Sequence, residues 1–96
     1  MFEGQSVSVI IPAFNEADHI GRVVRNIPSW VDHIVVVDDG SRDLTVARAE
    51  ETGRAFELIR HDANRGVGAA IISGYEAAVA RGVDIAAIMA GDDQMC

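Results

Sequence analysis

The sequence contains no lysine, one cysteine, two prolines and few aromatic residues. The single cysteine, Cys96, stands at the last position, so no disulfide can form within the chain and nothing indicates an oxidising compartment. No apolar run approaches the ~18 residues that span a bilayer, and the N-terminus lacks the charged start and apolar core of a signal peptide. We therefore expect a cytoplasmic protein.

The charge of the chain is strongly acidic. Eight arginines stand against 15 acidic residues, which gives a formal net charge of -7. Because binding to nucleic acid requires a clustered basic face, and none is visible, we exclude a nucleic-acid partner. A divalent cation suits this composition better. With 49% hydrophobic and 24% charged residues, the chain has the composition of a globular domain.

Strand and helix patterns alternate along the whole chain. Runs of β-branched and other apolar residues predict strands over residues 6–12, 33–37, 56–59 and 84–89. Apolar residues at helical spacing, together with capping and stop signals, predict helices over residues 20–27, 42–52 and 66–81. Such alternation predicts an α/β fold, a Rossmann-like parallel sheet of four strands with three flanking helices and right-handed crossovers.

The expected helix ends rest on particular residues. Ser41 is predicted to cap the second helix, with Asp43 in its first turn and Gly53 at its end. Gly82 is predicted to end the third helix. The third helix itself is indicated by apolar residues at helical spacing, namely Ile71, Tyr75, Ala78 and Val79.

Polar clusters follow three of the four predicted strands. They are Asn15 with Glu16, Asp38 with Asp39, and Asp92 with Asp93. Ligands of open parallel sheets bind at the carboxyl ends of the strands, so we expect these clusters to share one site. Carboxylates that converge repel one another unless a cation lies among them, and Mg²⁺ or Mn²⁺ prefers such oxygen ligands together with phosphates. The pattern therefore indicates a metal-bound diphosphate.

Each cluster also has a purely structural explanation. Asn15 can serve as a helix N-cap with Glu16 and Asp18 in an acidic first turn, residues 38–41 can form a turn with its cap, and residues 92–93 can be a solvated chain end. The spacing of the three histidines suits no metal site, so we expect them on helix surfaces or in loops; they are His19, His33 and His61. We interpret Trp30 as a packing anchor for the loop before the second strand.

Four segments carry a resemblance to a known family. They read Pro-Ala-Phe-Asn-Glu from Pro12, Val-Val-Val-Asp-Asp-Gly-Ser from Val35, Asn-Arg-Gly from Asn64, and Gly-Asp-Asp-Gln from Gly91. In this order and spacing they resemble glycosyltransferase family 2, and within it the branch that includes polyprenyl-phosphate sugar synthases. The resemblance covers essentially the whole chain.

The resemblance implies a GT-A fold whose N-terminal half holds a nucleoside diphosphate sugar. Val37 and Asp39 are then expected to meet the base, and Asp92 matches the last aspartate of the family's DxD motif, its metal ligand. The first aspartate of that motif is replaced by Ala90, and Val67 stands where relatives often have lysine. The implied nucleotide-binding residues are Pro12, Phe14, Glu16, Val37, Asp39 and Gly91.

The implied activity is metal-dependent transfer of a sugar, with inversion, from a UDP- or GDP-sugar to a polyprenyl phosphate or a glycan. Mg²⁺ or Mn²⁺ is the implied cofactor, and a full-length relative would lie peripherally on a membrane. We expect residues 1–96 to form a single nucleotide-sugar-binding domain that ends after the DxD-like motif. The family's acceptor-binding half lies beyond that motif, so we assign no catalytic residue.

Three alternatives remain open at this point. A dinucleotide-binding module is suggested by Gly66-Val67-Gly68, although Ile71 then replaces the third small residue of that fingerprint. A receiver-like signalling domain also uses acidic strand ends, but it relies on a lysine that this chain lacks. A non-catalytic nucleotide-binding remnant fits the length of the chain. We also expect self-association, through an uncovered sheet edge and an apolar helix face.

Overall fold

The computed structural model describes residues 1–90 and confirms the predicted alternation of strands and helices. In these residues the elements are β1 Val7–Ala13, α1 Ile20–Arg25, β2 His33–Asp38, α2 Thr45–Glu50, β3 Glu57–Arg60, α3 Val67–Arg81 and β4 Ile85–Ile88. The predicted fold class, a parallel sheet with flanking helices, is therefore confirmed. Gly91 and Asp92, two of the predicted site residues, lie outside the described residues.

The four strands form one parallel sheet in the order β3-β2-β1-β4. At the centre of the sheet, Ile10 of β1 aligns with Val35 of β2 on one side and with Ile88 of β4 on the other. The chain first moves outward from β1 to β3 and then returns to the opposite side of β1. This reversal creates a switch point between β1 and β4, where ligands of open α/β sheets bind.

The sheet is covered by helices on both faces. On one face, α1 and α2 bury their apolar residues against the odd-numbered residues of β1, and this core contains Val9, Ile11, Ile20, Val23, Val24, Val36 and Ala49. On the other face, α3 packs on Ile10, Val35 and Val37. Because successive side chains of a strand point to opposite faces, a strand covered twice must be apolar throughout, which explains the unbroken runs in β1 and β2.

Small residues form the packed face of α3. Ala70, Gly74 and Ala78 are its buried residues, whereas Tyr75 and Val79 are 57% and 59% exposed. A Cβ atom at Gly74 would lie 2.3 Å from Cγ2 of Ile10, so the helix approaches β1 too closely for any side chain there. The helical spacing of apolar residues thus predicted the helix correctly. The residues that pack on the sheet are the small ones, because the helix lies too close to β1 for larger side chains.

The first helix begins at Ile20 as predicted, whereas the predicted start of the second helix is wrong. The N-cap position of α2 is Leu44, without a side-chain cap, and the Ser41 hydroxyl instead accepts a hydrogen bond from the backbone N–H of Asn15. Asp43 precedes the helix, and α2 ends at Glu50, before Gly53. His19, not Asn15, is at the N-cap position of α1. These polar side chains are used by neighbouring loops, as described below.

Other local predictions had mixed outcomes. The end of α3 at Gly82, in a left-handed conformation with φ 75°, is confirmed. The placement of the histidines is wrong for His33, which lies buried within β2; His61 lies in the loop directly after β3, as predicted, but is buried there. Trp30 packs on Phe2 with 5.2 Å between ring centroids. Among the described residues, no helix has the length and apolar character to cross a membrane.

Candidate functional site

A pocket of about 310 Å³ opens at the carboxyl end of β1, next to the switch point of the sheet. Its walls come from four separate segments of the chain: the end of β1 and the loop after it, the residue after β2, the start of α3 with the loop before it, and the residue at 90. The lining residues are Pro12, Ala13, Phe14, Glu16, Asp39, Asn64, Val67, Ala70 and Ala90. The topology thus brings distant segments to one concave surface.

The loops after β1 and β2 are joined by four hydrogen bonds between backbone and side chain. Asn15 donates its N–H to the Ser41 hydroxyl at 2.8 Å, and its side-chain oxygen accepts the N–H of Arg42 at 2.9 Å. The N–H of Glu16 binds the Thr45 hydroxyl at 2.9 Å, and the N–H of Ala17 binds the Asp43 carboxylate at 3.2 Å. Because these bonds satisfy exposed backbone donors, they hold the pocket wall that carries Phe14 and Glu16 in place.

Asp43 accepts three hydrogen bonds in this connection between the two loops. It accepts hydrogen bonds from the Thr45 hydroxyl, from the Thr45 N–H at 3.0 Å and from the Ala17 N–H. Burial alone would raise the pKa of the Asp43 carboxyl, but these donors outweigh it and hold the pKa below its usual range. Asp43 therefore remains ionised and acts as a structural anchor between the two loops.

Asp39 is a buried carboxylate on the pocket wall. Its Oδ1 accepts hydrogen bonds from His61 Nδ1 at 2.7 Å and from the N–H of Arg65 at 3.0 Å, and its Oδ2 accepts the N–H of Gly66 at 2.8 Å. Burial opposes the charge, but the three donors stabilise it more, so the pKa of Asp39 lies below its ordinary value. The carboxylate is thus ionised and fixed to the loop before α3.

Gly40 allows that loop to cross directly over the end of β2. Its φ is +81°, and a Cβ atom there would lie 2.7 Å from the carbonyl carbon of Ala63 and from the backbone nitrogen of Asn64. Both the positive φ and the close crossing require glycine. Since Asn64 lines the pocket, Gly40 helps to set the distance between the wall after β2 and the wall before α3.

The structure brings together four of the six residues that were predicted to bind a nucleotide. Pro12, Phe14, Glu16 and Asp39 all line the pocket. Val37 does not line it: its side chain is fully buried between the sheet and α3, and its strand is paired with a neighbour on either side. The remaining predicted residue, Gly91, and the predicted metal ligand Asp92 lie outside the described residues.

Sequence reasoning missed part of the site. Asn64 was recognised only as a piece of a motif, although it lines the pocket, and His61 was assigned no role beyond a helix surface or a loop, although it binds Asp39. Both follow β3, the one predicted strand without a recognised polar cluster after it. The rule for strand ends applies to this strand too, but it does not indicate that His61 reaches Asp39.

The donor set for a metal is incomplete in the described part of the chain. Residues 1–90 contain no group of three His, Cys, Asp or Glu side chains that could hold a metal ion. Asp39 offers at most one free acceptor position, because three hydrogen bonds from the protein occupy the other positions on its two oxygens. The prediction of a bound metal thus depends on Asp92. That residue lies outside the described part of the chain, so the prediction stays untested.

Comparison with known proteins gives one consistent result. Residues 8–95 match the sequence profile of Glycosyl transferase family 2. The UDP-N-acetylglucosamine–dolichyl-phosphate N-acetylglucosaminyltransferase of Methanococcus voltae is 36% identical over 104 residues, which cover 92% of this chain and 41% of that protein. The polyprenol monophosphomannose synthase of Mycolicibacterium smegmatis is 35% identical over 96 residues, which cover 92% of this chain and 36% of that protein.

A solved structure supports the same grouping. The glucosyl-3-phosphoglycerate synthase of Mycobacterium tuberculosis, in complex with Mn²⁺, UDP-glucose and phosphoglyceric acid, superposes with a TM-score of 0.74 at 27% identity. The match covers 92% of this chain and 33% of that one. The chain therefore spans roughly a third to two-fifths of the length of these relatives, which are nucleotide-sugar transferases.

Proposed function

The chain belongs to glycosyltransferase family 2, and from this we propose that its pocket binds the nucleotide part of a nucleoside diphosphate sugar. The observation that carries the proposal is the convergence of Phe14, Glu16, Asp39 and Ala90 on one pocket at the switch point of the sheet. Pro12 and Phe14 supply an apolar surface for a base or ribose, and Glu16 and Asp39 supply acceptors. Gly91 completes the proposed site.

The hydrogen bonds of Asp39 favour uracil over guanine as the base. A carboxylate has about four acceptor positions, and three at Asp39 are taken by His61, Arg65 and Gly66, which leaves one on Oδ2. Uracil presents one imide N–H, whereas guanine presents an N–H and an amino group side by side. The one free acceptor of Asp39 can pair with the imide N–H of uracil, but it can pair with only one of the two adjacent donors of guanine. We therefore propose a UDP-sugar as the donor and not a GDP-sugar.

The proposed metal site depends on Asp92. Ala90 lines the pocket, and Asp92 follows it two positions later in the sequence. A bound Mg²⁺ or Mn²⁺ would neutralise the diphosphate. The protein's own contribution is to orient the nucleotide between the wall after β1 and the wall before α3. The replacement of the first DxD aspartate by Ala90 removes one carboxylate from this wall, so we expect weaker donor binding than in relatives that retain it.

The parent activity that we propose is transfer of a sugar, with inversion, to a polyprenyl phosphate or a glycan. Relatives named for dolichyl-phosphate and polyprenol products support the first type of acceptor. A phosphate acceptor is already anionic and needs little help from a base. Residues 1–96 are proposed to serve as the nucleotide-sugar-binding domain of this activity, in the cytoplasm and peripheral to a membrane where the acceptor is a lipid.

Calorimetric titration tests the proposal directly. We expect UDP to bind more tightly than GDP, and we expect Mn²⁺ to strengthen the binding of UDP. Asp92→Ala should remove the metal effect and leave thermal stability unchanged, because the role proposed for Asp92 is to bind the metal and not to stabilise the fold. Asp18→Ala, which removes an exposed acidic residue elsewhere, is the matched control.

Each result of the titrations contradicts or supports a different part of the proposal. A folded chain that gives no heat with either nucleotide contradicts nucleotide binding, and equal affinity for UDP and GDP contradicts the selection by Asp39. A metal effect that persists in Asp92→Ala removes Asp92 from the site. Binding of a UDP-sugar without transfer to any acceptor supports the alternative of a non-catalytic binding domain.

A further inference from the structure

A chain of three hydrogen-bonded side chains runs beneath the pocket and was not apparent in the sequence. His61 Nδ1 lies 2.7 Å from Asp39 Oδ1, and His61 Nε2 lies 2.8 Å from Ser73 Oγ. The side chains of His61 and Asp39 are only 5% and 4% exposed. The three residues come from the end of β2, the end of β3 and the middle of α3. Their hydrogen bonds therefore connect three elements that surround the pocket.

The direction of each hydrogen bond follows from the charge of Asp39. An ionised carboxylate can only accept, and the pKa of Asp39 is held low by its donors even though burial opposes the charge. His61 therefore carries a proton on Nδ1 and donates it to Asp39. In the neutral ring Nε2 is then an acceptor, and the Ser73 hydroxyl donates to it.

Asp39 connects His61 to the pocket wall through its other hydrogen bonds. The same carboxylate that accepts from His61 also accepts the N–H groups of Arg65 and Gly66, and Gly66 is the N-cap residue of α3. The neighbours of these two residues in sequence, Asn64 and Val67, line the pocket. The rotation of the Asp39 side chain therefore determines both the wall and the direction of its one free acceptor.

We propose that His61 is a positioning residue for nucleotide binding, which acts through Asp39 and never touches the ligand. This inference rests on the proposed function, since it assigns a role in the same pocket. The Nδ1–H bond holds the Asp39 carboxylate in the rotamer that supports residues 64–67, and Ser73 fixes the ring from behind. His61 is not among the residues that line the pocket.

Asp39, His61 and Ser73 are hydrogen-bonded in the same order as the residues of a hydrolytic triad, but the placement of Ser73 excludes that role. Ser73 lies in the interior of α3, where backbone N–H groups are committed to helical hydrogen bonds and cannot form an oxyanion hole. It is also not among the residues that line the pocket. The three side chains thus serve to position the carboxylate and not to attack a substrate.

Two conservative substitutions separate the two nitrogens of the ring. His61→Asn retains an N–H donor near the position of Nδ1, whereas His61→Gln places its amide near Nε2 and removes the donor to Asp39. We expect His61→Gln to weaken the binding of UDP by about tenfold or more, since a hydrogen bond to a charged group is lost. We expect His61→Asn to bind within about threefold of the wild-type chain, which is rescue by the variant that retains the donor.

His33→Gln is the matched control. His33 is also buried and makes two similar contacts, at 2.7 Å to the Ser8 hydroxyl and at 2.9 Å to Glu57, but it lies at the opposite end of β2. We expect its substitution to lower the stability of the fold without changing the affinity for UDP. Ser73→Ala should cause a small loss of affinity, because it frees the ring but keeps its bond to Asp39.

Titration calorimetry of the full chain with UDP, urea unfolding and amide NMR spectra are the measurements. We expect the amide resonances of Arg65 and Gly66 to shift in His61→Gln and to stay in place in His33→Gln. Equal affinities of the wild type and of a folded His61→Gln variant would overturn the inference alone. So would equal losses of affinity in His61→Gln and His33→Gln. A folded wild-type chain that binds no UDP would overturn the proposed function and, with it, this role of His61.

Discussion

Asp39 carries a buried negative charge that is stabilised by its hydrogen-bond donors. Its contribution to the stability of the fold therefore changes with pH, in a direction that its pKa determines. Its pKa in the folded chain lies below the ordinary value of 3.8, because the bonds from His61, Arg65 and Gly66 outweigh the effect of burial. The unfolded chain therefore takes up a proton first as the pH falls. The stabilisation is complete above about pH 4 to 5 and is lost as the pH falls through the folded pKa.

Asp39→Asn should remove that part of the pH dependence. An amide cannot accept hydrogen bonds from all three donors, so we expect a loss of about 1–3 kcal/mol of unfolding free energy at neutral pH. We also expect a shallower decline of stability at acid pH, with a residual slope from Asp32 and Asp43, whose pKa values are lowered as well. Urea unfolding between about pH 2 and 7 measures both effects.

The control for this experiment is Asp18→Asn, which removes an exposed carboxylate. We expect its unfolding free energy to stay within about 0.5 kcal/mol of the wild type. An Asp39→Asn variant whose pH profile is parallel to that of the wild type would show that Asp39 contributes nothing to acid unfolding.

Gly40 and Gly53 form a matched pair that isolates steric crowding from backbone strain. Both have a left-handed backbone, with φ +81° and +74°, but only at Gly40 would a Cβ atom meet another segment, at 2.7 Å from the backbone of Ala63 and Asn64. We expect Gly53→Ala to lose about 1 kcal/mol and Gly40→Ala to lose clearly more. Only Gly40→Ala should weaken UDP binding. Equal losses in urea unfolding would mean that the loop adjusts freely.

The site residues at the ends of β1 and β2 could be predicted because one topological rule places all strand ends of a parallel sheet at one edge. Glu16 and Asp39 follow from that rule, Phe14 is implied only by the resemblance to the family, and all three line the pocket. The partners of Asp39 could not be predicted in the same way. Whether His61 reaches it depends on the crossing of two loops at Gly40, which no local pattern in the sequence encodes.

Strands were easier to predict than helix ends for a physical reason. β1 and β2 are covered on both faces, so burial requires apolar residues at nearly every position and leaves a continuous signal. A helix start is usually marked by a capping side chain, but here Ser41 and Asn15 bond to each other's loops and not to the helix next to them. Tertiary contacts have taken over the residues that normally report a local structure.

The packing of α3 on the sheet can be tested at Gly74. Alanine favours a helix over glycine by about 1 kcal/mol, but a Cβ atom at Gly74 would lie 2.3 Å from Cγ2 of Ile10. Since overpacking costs about 1–3 kcal/mol, we expect Gly74→Ala to destabilise the chain in urea unfolding. Gly68→Ala, in the first turn of the same helix with no atom nearby, should be neutral or stabilising by up to about 1 kcal/mol.

A double-mutant cycle then assigns the loss at Gly74 to Ile10. Replacing Ile10 by alanine removes Cγ2, so Gly74→Ala should cost less in the Ile10→Ala background than in the wild type. If the two substitutions add independently, the clash with Ile10 is not the cause. Gly74→Ala with wild-type stability would mean that α3 moves away from β1 without cost.

For the whole molecule, the outer surface of α3 and the edge strand β4 leave apolar side chains exposed. Ile72, Tyr75 and Val79 are 57–61% exposed on α3, and Ile88 is 51% exposed on β4, which pairs only with β1 in the described sheet. We therefore keep the prediction that these 96 residues self-associate.

The net charge of -7 determines how this association should respond to salt. Like-charged chains repel one another at low ionic strength, and salt screens that repulsion while leaving apolar contacts intact. We thus expect the average mass in light scattering to rise with both protein concentration and salt. Ile72→Glu should suppress the rise, because it places a charge on the apolar face of α3. Leu44→Glu, an equally drastic change at a residue 57% exposed beside α2, should affect it much less. A monomer under all conditions, or equal effects of the two variants, would show that the face of α3 does not bind a second copy.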